Sequence, residues 1–166
     1  KTLNHISYKF SNNFFFTLQN YDDLNHRQSP TFYILKSFIS KFDENFQRLF
    51  FLHVFLLIPI FFYKCLKIVF KKTNKSKLKT IAFLILLFPT FRSYSIWPDP
   101  HLMGFLFFLI SIYYFIKFKY KAETLKYAIL NTIFLSMSAY FSPNFGVFVI
   151  YFYLEKFQSS FQTTGG

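Results

Sequence analysis

A short polar stretch at residues 91–101 separates two long apolar runs of the sequence. It contains the ionisable residues Arg92, Asp99 and His101. Ionisable side chains next to hydrocarbon are energetically costly and usually serve a function. A proline on each side of Asp99 predicts a turn there, because proline interrupts a helix that runs into it. This stretch is therefore the first candidate for a functional site.

Four residues of this stretch could do chemistry, and each also has a purely structural interpretation. Asp99 could contact a substrate, or it could cap a helix that begins near His101. Arg92 could pair with Asp99, bind a phosphate group, or extend into lipid headgroups. Trp97 could stack on a sugar, although tryptophan at a membrane edge is more often an anchor. His101 could carry a proton near neutral pH, or simply begin the helix.

A second group of chemically capable residues lies near the N-terminus. Asp22 and Asp23 are adjacent carboxylates, and His26 and Arg27 follow closely. Together they could supply a general base or bind a divalent cation, the one cofactor that the sequence suggests. Adjacent acids in an exposed loop are also often merely solvated, so both interpretations stay open.

Other polar residues occur at a turn near the C-terminus and inside one apolar run. Tyr140, Ser142 and Asn144 surround the turn and could hydrogen-bond a ligand, although turn geometry explains them equally well. His53 lies within an apolar run, where we expect a core histidine with a local partner.

The composition is that of a membrane protein. Of 166 residues, 53% are apolar and 25% aromatic, whereas 16% are charged. A soluble domain of this size carries more charge and lacks apolar runs of this length. Cys65 is the only cysteine, which excludes a disulfide scaffold and a Cys/His metal motif. Since the sequence starts at Lys1, we expect it to be a fragment of a longer protein.

The net charge of +12 comes from lysines that cluster between the apolar runs. Seven lysines occur within 64–79 and four within 117–126. Lysines in short loops between spans favour the cytoplasmic side. We therefore expect both clusters to be cytoplasmic, near anionic lipid and not bound to nucleic acid. The turns at 91–101 and 142–144 and the region 1–46 then lie outside.

Hydrophobic periodicity predicts an all-α fold, a polytopic bundle of transmembrane helices. Residues 1–46 form an extracytoplasmic segment with an amphipathic helix over 31–42, whose polar side includes Lys36. The bundle occupies 47–157, and a polar tail follows at 158–166. Its expected spans, about five in number, cover 49–70, 80–96, 101–117, 127–140 and the residues from 145 onwards.

Short motifs within residues 25–155 resemble a family of membrane enzymes. The sequence at 26–33, His-Arg-Gln-Ser-Pro-Thr-Phe-Tyr, is similar to the His-x-Pro-Pro-Leu-Tyr-Tyr signature of polytopic GT-C glycosyltransferases. Arg48-Leu49 at the start of a span and Pro98-Asp99 at an outside turn continue the pattern. The chain thus resembles glycosyltransferase family 39, which includes protein O-mannosyltransferases and aminoarabinose transferases.

The sequence departs from this family at several places. Ser29 replaces the first proline of the signature, and Asn144 follows a proline where the family often has a lysine before it. The family's first span, and the catalytic aspartate in the loop after it, have no counterpart here. The resemblance therefore implies that this acid precedes Lys1, with Asp22 and Asp23 as substitutes by position only.

The resemblance implies transfer of a sugar from a polyprenyl-phosphate-linked donor to a lipid, glycan or protein acceptor on the extracytoplasmic face. A carboxylate would deprotonate the acceptor hydroxyl, and a cation would neutralise the departing phosphate. Arg92 would contact the phosphate, and Asp99 would contact the acceptor or the donor sugar. The full set of expected substrate-binding residues is Arg92, Asp99, His101, Trp97, His26 and Arg27. The expected location is a bacterial inner membrane, with the endoplasmic reticulum as the alternative.

A transporter or a non-catalytic membrane subunit would explain the apolar spans equally well. Transporters tend to have repeated halves with glycine- or proline-interrupted helices. The chain has four glycines and no visible internal repeat, which gives a transporter little support.

Overall fold

The computed structural model describes residues 2–24, 30–96, 99–120 and 125–154. These residues form helices and no strands. In chain order the helices are α1 (Thr2–Asn12), α2 (Phe14–Gln19), α3 (Pro30–Ile39), α4 (Glu44–Val69), α5 (Lys75–Leu84), α6 (Pro89–Ile96), α7 (Pro100–Tyr120), α8 (Leu125–Phe141) and α9 (Pro143–Leu154). The predicted all-α class is confirmed for this part of the chain, whereas the predicted polar tail lies outside it.

Helices α4 and α7 form the centre of the molecule. The Cys65 thiol, near the C-terminal end of α4, lies 3.9 Å from the carbonyl oxygen of Leu109 in the middle of α7. Nearer their N-terminal ends, Phe51 and Leu102 belong to one buried cluster. The two helices therefore run side by side in the same direction, and their N-terminal ends lie at the same end of the molecule.

Both central helices are long and apolar enough to cross a membrane. Helix α4 has 26 residues and α7 has 21, and no other helix among the described residues passes this test of length and composition. This favours membrane association, because about 20 apolar residues match the hydrocarbon thickness of a bilayer. The helices predicted over 49–70 and 101–117 are confirmed.

The single helix predicted over 80–96 is wrong, because the chain breaks there into α5 and α6. A short 3₁₀ turn over Ile85–Leu87 ends α5, and α6 starts at Pro89. Phe88 between them is extended, with φ −67° and ψ 123°. A residue before proline avoids the helical region, since the proline ring clashes with its backbone.

Helix α8 packs antiparallel to α7 through small polar side chains. Asn131 donates to the Ser111 carbonyl oxygen at 3.0 Å, and Ser138 donates to the Gly104 carbonyl oxygen at 2.7 Å. With 17 residues, α8 falls just short of the length expected of a span, and α9 is shorter still. Of the five predicted spans, two therefore have a helix of spanning length.

The N-terminal helices form their own small core and attach to α4 through α3. Ile6 and Phe10 from α1 pack against Tyr33 of α3. On another side of α3, Phe32 meets Phe51 of α4 with ring centroids 6.5 Å apart. Because Phe51 lies in the N-terminal part of α4, α3 sits at the same end of the molecule as the start of α7.

The polar side predicted for the helix over 31–42 is wrong at Lys36. This lysine is buried, whereas Phe38 and Phe42, predicted to face the apolar side, are exposed. Helix α3 is packed against α1 on one side and α4 on another, so its buried face is wider than a single stripe. Desolvation lowers the pKa of Lys36.

Candidate functional site

Asp99 caps the first turn of α7. Its carboxylate oxygen Oδ1 accepts a hydrogen bond from the backbone N–H of His101 at 2.6 Å. Pro100 occupies the first helical position, where its missing N–H leaves no donor unpaired. The helix-cap interpretation of Asp99 is confirmed, and its second oxygen, Oδ2, makes no hydrogen bond within the described part of the chain.

The side chain of His101 joins the start of α7 to the end of α8. Its Nδ1 lies 2.8 Å from the hydroxyl oxygen of Ser142. Ser142 is fully buried, whereas His101 is half-buried. If the hydroxyl donates to Nδ1, the imidazole carries its proton on Nε2 and presents a donor there.

A glycine allows this close contact between the helix ends. A Cβ atom on Gly104 would lie 3.0 Å from the Ser142 Cβ and 3.1 Å from a ring carbon of Phe145. These two residues begin the segment that follows α8. The missing side chain of Gly104 therefore lets the turn at 142–144 pack directly on α7.

The site residues from the second predicted group lie elsewhere. Asp22 and Asp23 form a short 3₁₀ turn, Asp22–Leu24, and both are exposed. His26, Arg27 and Trp97 lie outside the described residues. Among those described, no three His, Cys, Asp or Glu side chains come together to hold a metal ion, so the predicted cation rests on the sequence alone.

Arg92 is exposed on α6 at the same end as Asp99. The preceding residue, Phe91, packs against Phe55 of α4 and Phe105 of α7, with centroids 6.0 and 5.3 Å apart. These contacts hold α6 against both central helices. The predicted pair of Arg92 with Asp99 is not formed, since the one salt bridge between described residues joins Arg48 to Glu44.

The structure also tests the predictions for His53 and for the turn at 142–144. His53 has the expected local partner, because its Nδ1 lies 2.6 Å from the Leu49 carbonyl oxygen. It is nevertheless exposed, so its predicted core position is wrong. At the C-terminal turn, Tyr140 and Asn144 are exposed and only Ser142 is buried.

Lysines and tyrosines gather at the opposite end of the central pair. The Nζ atoms of Lys64 on α4 and Lys117 on α7 lie 6.0 and 4.6 Å from the ring centroid of Tyr113. Lys117 also lies 5.3 Å from the ring centroid of Tyr127 on α8. Lys64 and Lys117 therefore lie at one end of the central pair, away from Asp99.

The pairing of His101 with Ser142 was not predicted, because 41 residues separate them. The lysine pattern did carry a signal, since it predicts that both turns lie at one end of the bundle. Comparisons of this chain with protein families, with curated proteins and with solved structures find no match.

Proposed function

We propose that this chain is part of a multi-pass membrane glycosyltransferase, which transfers a sugar from a polyprenyl-phosphate-linked donor to an acceptor outside the cytoplasm. The observation that carries the proposal is the gathering of Asp99, His101 and Ser142 at one end of two apolar helices of spanning length. A bacterial inner membrane is the proposed location, with the endoplasmic reticulum as the alternative. The acceptor is a lipid, a glycan or a protein.

The distribution of charge supports this orientation of the proposed enzyme. Lys64 and Lys117 lie at the end of the central pair opposite Asp99. Lysine favours the cytoplasmic side of a membrane, so Asp99 then faces outside. Apolar side chains exposed along α4 would contact lipid, and these are Leu49, Leu52, Leu56, Leu57, Ile60 and Val69.

The polar groups at the Asp99 end suit a phosphate-linked sugar. Oδ2 of Asp99 is free to accept a hydrogen bond from a sugar hydroxyl, and Arg92 on the neighbouring α6 supplies a cation for a phosphate. In the reaction, a carboxylate takes the proton of the acceptor hydroxyl, whose oxygen bonds to the sugar as the sugar–phosphate bond breaks. Within this chain, Asp22 and Asp23 are the candidates for the carboxylate that takes this proton, by position only.

The test separates the charge of Asp99 from its role as a helix cap. Asp99→Asn keeps an oxygen that can accept from His101 but removes the negative charge. Asp43→Asn is the matched control, because Asp43 stands before α4 and makes no side-chain cap bond. Transfer from a radiolabelled undecaprenyl-phosphate sugar is measured with the full-length protein in proteoliposomes.

We expect Asp99→Asn to reduce transfer by about tenfold or more, because a hydrogen bond to a charged group contributes roughly 1.5–3 kcal/mol. Asp43→Asn should leave transfer unchanged. Equal transfer by both variants and the unmodified protein would contradict the proposal.

That contradicting result would favour a non-catalytic membrane subunit as the second candidate. Its specific support is that Asp99 already caps α7 and that His101 already contacts Ser142 between the helix ends. In such a subunit the polar residues only fix the ends of α7 and α8, and the charge of Asp99 has no further role.

A further inference from the structure

The first two helices and the turn after them enclose a groove of about 490 Å³. This volume falls within the range of roughly 300–1,000 Å³ that is typical of small-molecule sites. The groove lies outside the two helices of spanning length and shares no lining residue with the site at His101. Its lining is formed by α1, α2 and the residues up to Asp23.

Three asparagine amides line the groove. The side chains of Asn12 and Asn13 are exposed and make no hydrogen bond within the described part of the chain. Asn20 donates from Nδ2 to the Phe16 carbonyl oxygen at 2.9 Å, which leaves its Oδ1 as an acceptor. An amide both donates and accepts, as a hydroxyl does, so these side chains match a ligand that is rich in hydroxyl groups.

Two aromatic side chains of the groove are exposed without a ring partner. Tyr8 is 66% exposed and Phe16 is 69% exposed, and neither ring packs on another ring of the described residues. Exposed aromatic rings at a polar groove can cover an apolar face of a ligand. A sugar ring has such a face of C–H groups between its hydroxyls.

The charges of the groove balance one another. Lys9 and Asp23 both line it but form no ion pair, since the one salt bridge between described residues lies on α4. One cation and one anion give the groove no net charge. This favours a neutral polar ligand over a phosphate or a carboxylate.

Contacts beneath the groove hold its walls in place. The hydroxyl of Thr17 donates to the Lys9 carbonyl oxygen at 3.1 Å and so ties α2 to α1. Phe10 packs under both walls, 6.0 Å from Phe14 and 6.1 Å from Tyr21. The amides and rings are therefore presented by a packed support.

We infer that this groove binds a neutral carbohydrate through the amides of Asn12, Asn13 and Asn20 and the rings of Tyr8 and Phe16. The inference deepens the proposed glycosyltransferase function, and it rests on that function for the role of the sugar as part of a donor or an acceptor. Sugar binding itself is measurable without transfer.

Binding of α-1,2-mannobiose to the chain is measured by saturation-transfer NMR in a detergent that has no sugar headgroup. Asn13→Ala and Phe16→Ala remove one amide and one ring from the groove. Gln19→Ala and Phe15→Ala are matched controls on the same helix, since neither residue lines the groove. Glucuronate serves as an anionic probe of similar chemistry.

We expect each groove variant to weaken mannobiose binding by about fivefold or more, the equivalent of one lost hydrogen bond or ring contact. The two controls should bind as the unmodified chain does, and glucuronate should bind more weakly. Absence of mannobiose binding, stronger binding of glucuronate, or equal losses in variants and controls would overturn the inference. Unchanged transfer by Asp99→Asn would refute the proposed enzyme but not sugar binding here.

Discussion

Replacing Gly104 by alanine tests the contact that holds the start of α7 against the turn after α8. The new Cβ would lie 3.0 Å from the Cβ of Ser142 and 3.1 Å from a ring carbon of Phe145. The Cβ of Ser142 is fixed to the backbone and cannot rotate away. The turn must therefore move by a few tenths of an ångström, which strains the hydrogen bond between Ser142 and His101.

The change in the free energy of unfolding caused by Gly104→Ala is the sum of two opposing terms. Overpacking of this kind costs about 1–3 kcal/mol, whereas alanine gains about 1 kcal/mol over glycine in a helix. Gly146→Ala is the matched control, because its Cβ would meet the Cβ of Ala139 at 3.7 Å, an ordinary contact. Gly146 lies in the 3₁₀ turn Pro143–Val147, where alanine also restricts the unfolded chain more than glycine does, and the clash is absent. The difference between the two variants therefore isolates the clash, at about 1–3 kcal/mol.

The stability of both variants is measured by unfolding in mixed micelles of detergent and dodecyl sulfate, followed by circular dichroism. We expect Gly104→Ala to unfold first and Gly146→Ala to match or exceed the unmodified chain. The imidazole nitrogen resonances of His101 should shift in Gly104→Ala only. Equal stability of the two variants, together with unchanged His101 resonances, would refute the packing described here.

Three further predictions concern buried or capping polar groups. Asp99→Ala should lower the free energy of unfolding by about 1 kcal/mol, whereas Asp99→Asn should change it little, because the amide oxygen still accepts from His101. The pKa of Lys36 is lower in the folded chain than in the unfolded chain, so above the lowered pKa the unfolded chain binds more protons than the folded chain. The free energy of unfolding should therefore rise with pH up to about 10.4, the usual pKa of lysine. Lys36→Met should flatten this rise in unfolding experiments. Asn131→Leu should change stability by less than about 1 kcal/mol, since it loses the bonds to Ser111 but also removes a buried oxygen, Oδ1, that has no partner.

Each of these measurements has a control. Asp43→Ala removes an acid before α4 that makes no cap bond, so an equal loss in both alanine variants would exclude a cap at Asp99. The pH series stops near pH 9, and an unchanged slope in Lys36→Met would contradict the burial of Lys36. Ser138→Ala also removes a bond to a backbone oxygen of α7 but removes no buried unpartnered atom in exchange, so it should cost more than Asn131→Leu.

Hydrophobic periodicity was sufficient to predict the two central helices. Each is an uninterrupted apolar run that ends in lysines, and tertiary contacts do not change this pattern. The break between α5 and α6 was missed because Pro89 was counted within an apolar run. The same residue does interrupt the helix, whereas Pro59 is buried inside α4 without ending it. The sequence pattern does not show which of the two prolines interrupts a helix, because both prolines have apolar neighbours.

The candidate site was predicted in part. The cap at Asp99 follows from local rules, because an acid before a proline-initiated helix has few other partners. The bond between His101 and Ser142 depends on how α7 and α8 pack, which no local pattern encodes. The prediction that Lys36 lies on the polar side of its helix was wrong for a related reason. A helical wheel assigns one buried face, but α3 contacts neighbours on two sides.

In the proposed multi-pass membrane protein, the small polar seam between α7 and α8 would have a consequence for how the chain enters a bilayer. Alone, α8 would expose Asn131 and Ser138 to hydrocarbon, which has no groups to satisfy them. Beside α7 both side chains already have acceptors. Insertion of α7 and α8 together as a helical hairpin would therefore avoid the energetic cost of exposing these side chains to hydrocarbon. Because α7 is synthesised before α8, its acceptors are already present when α8 inserts.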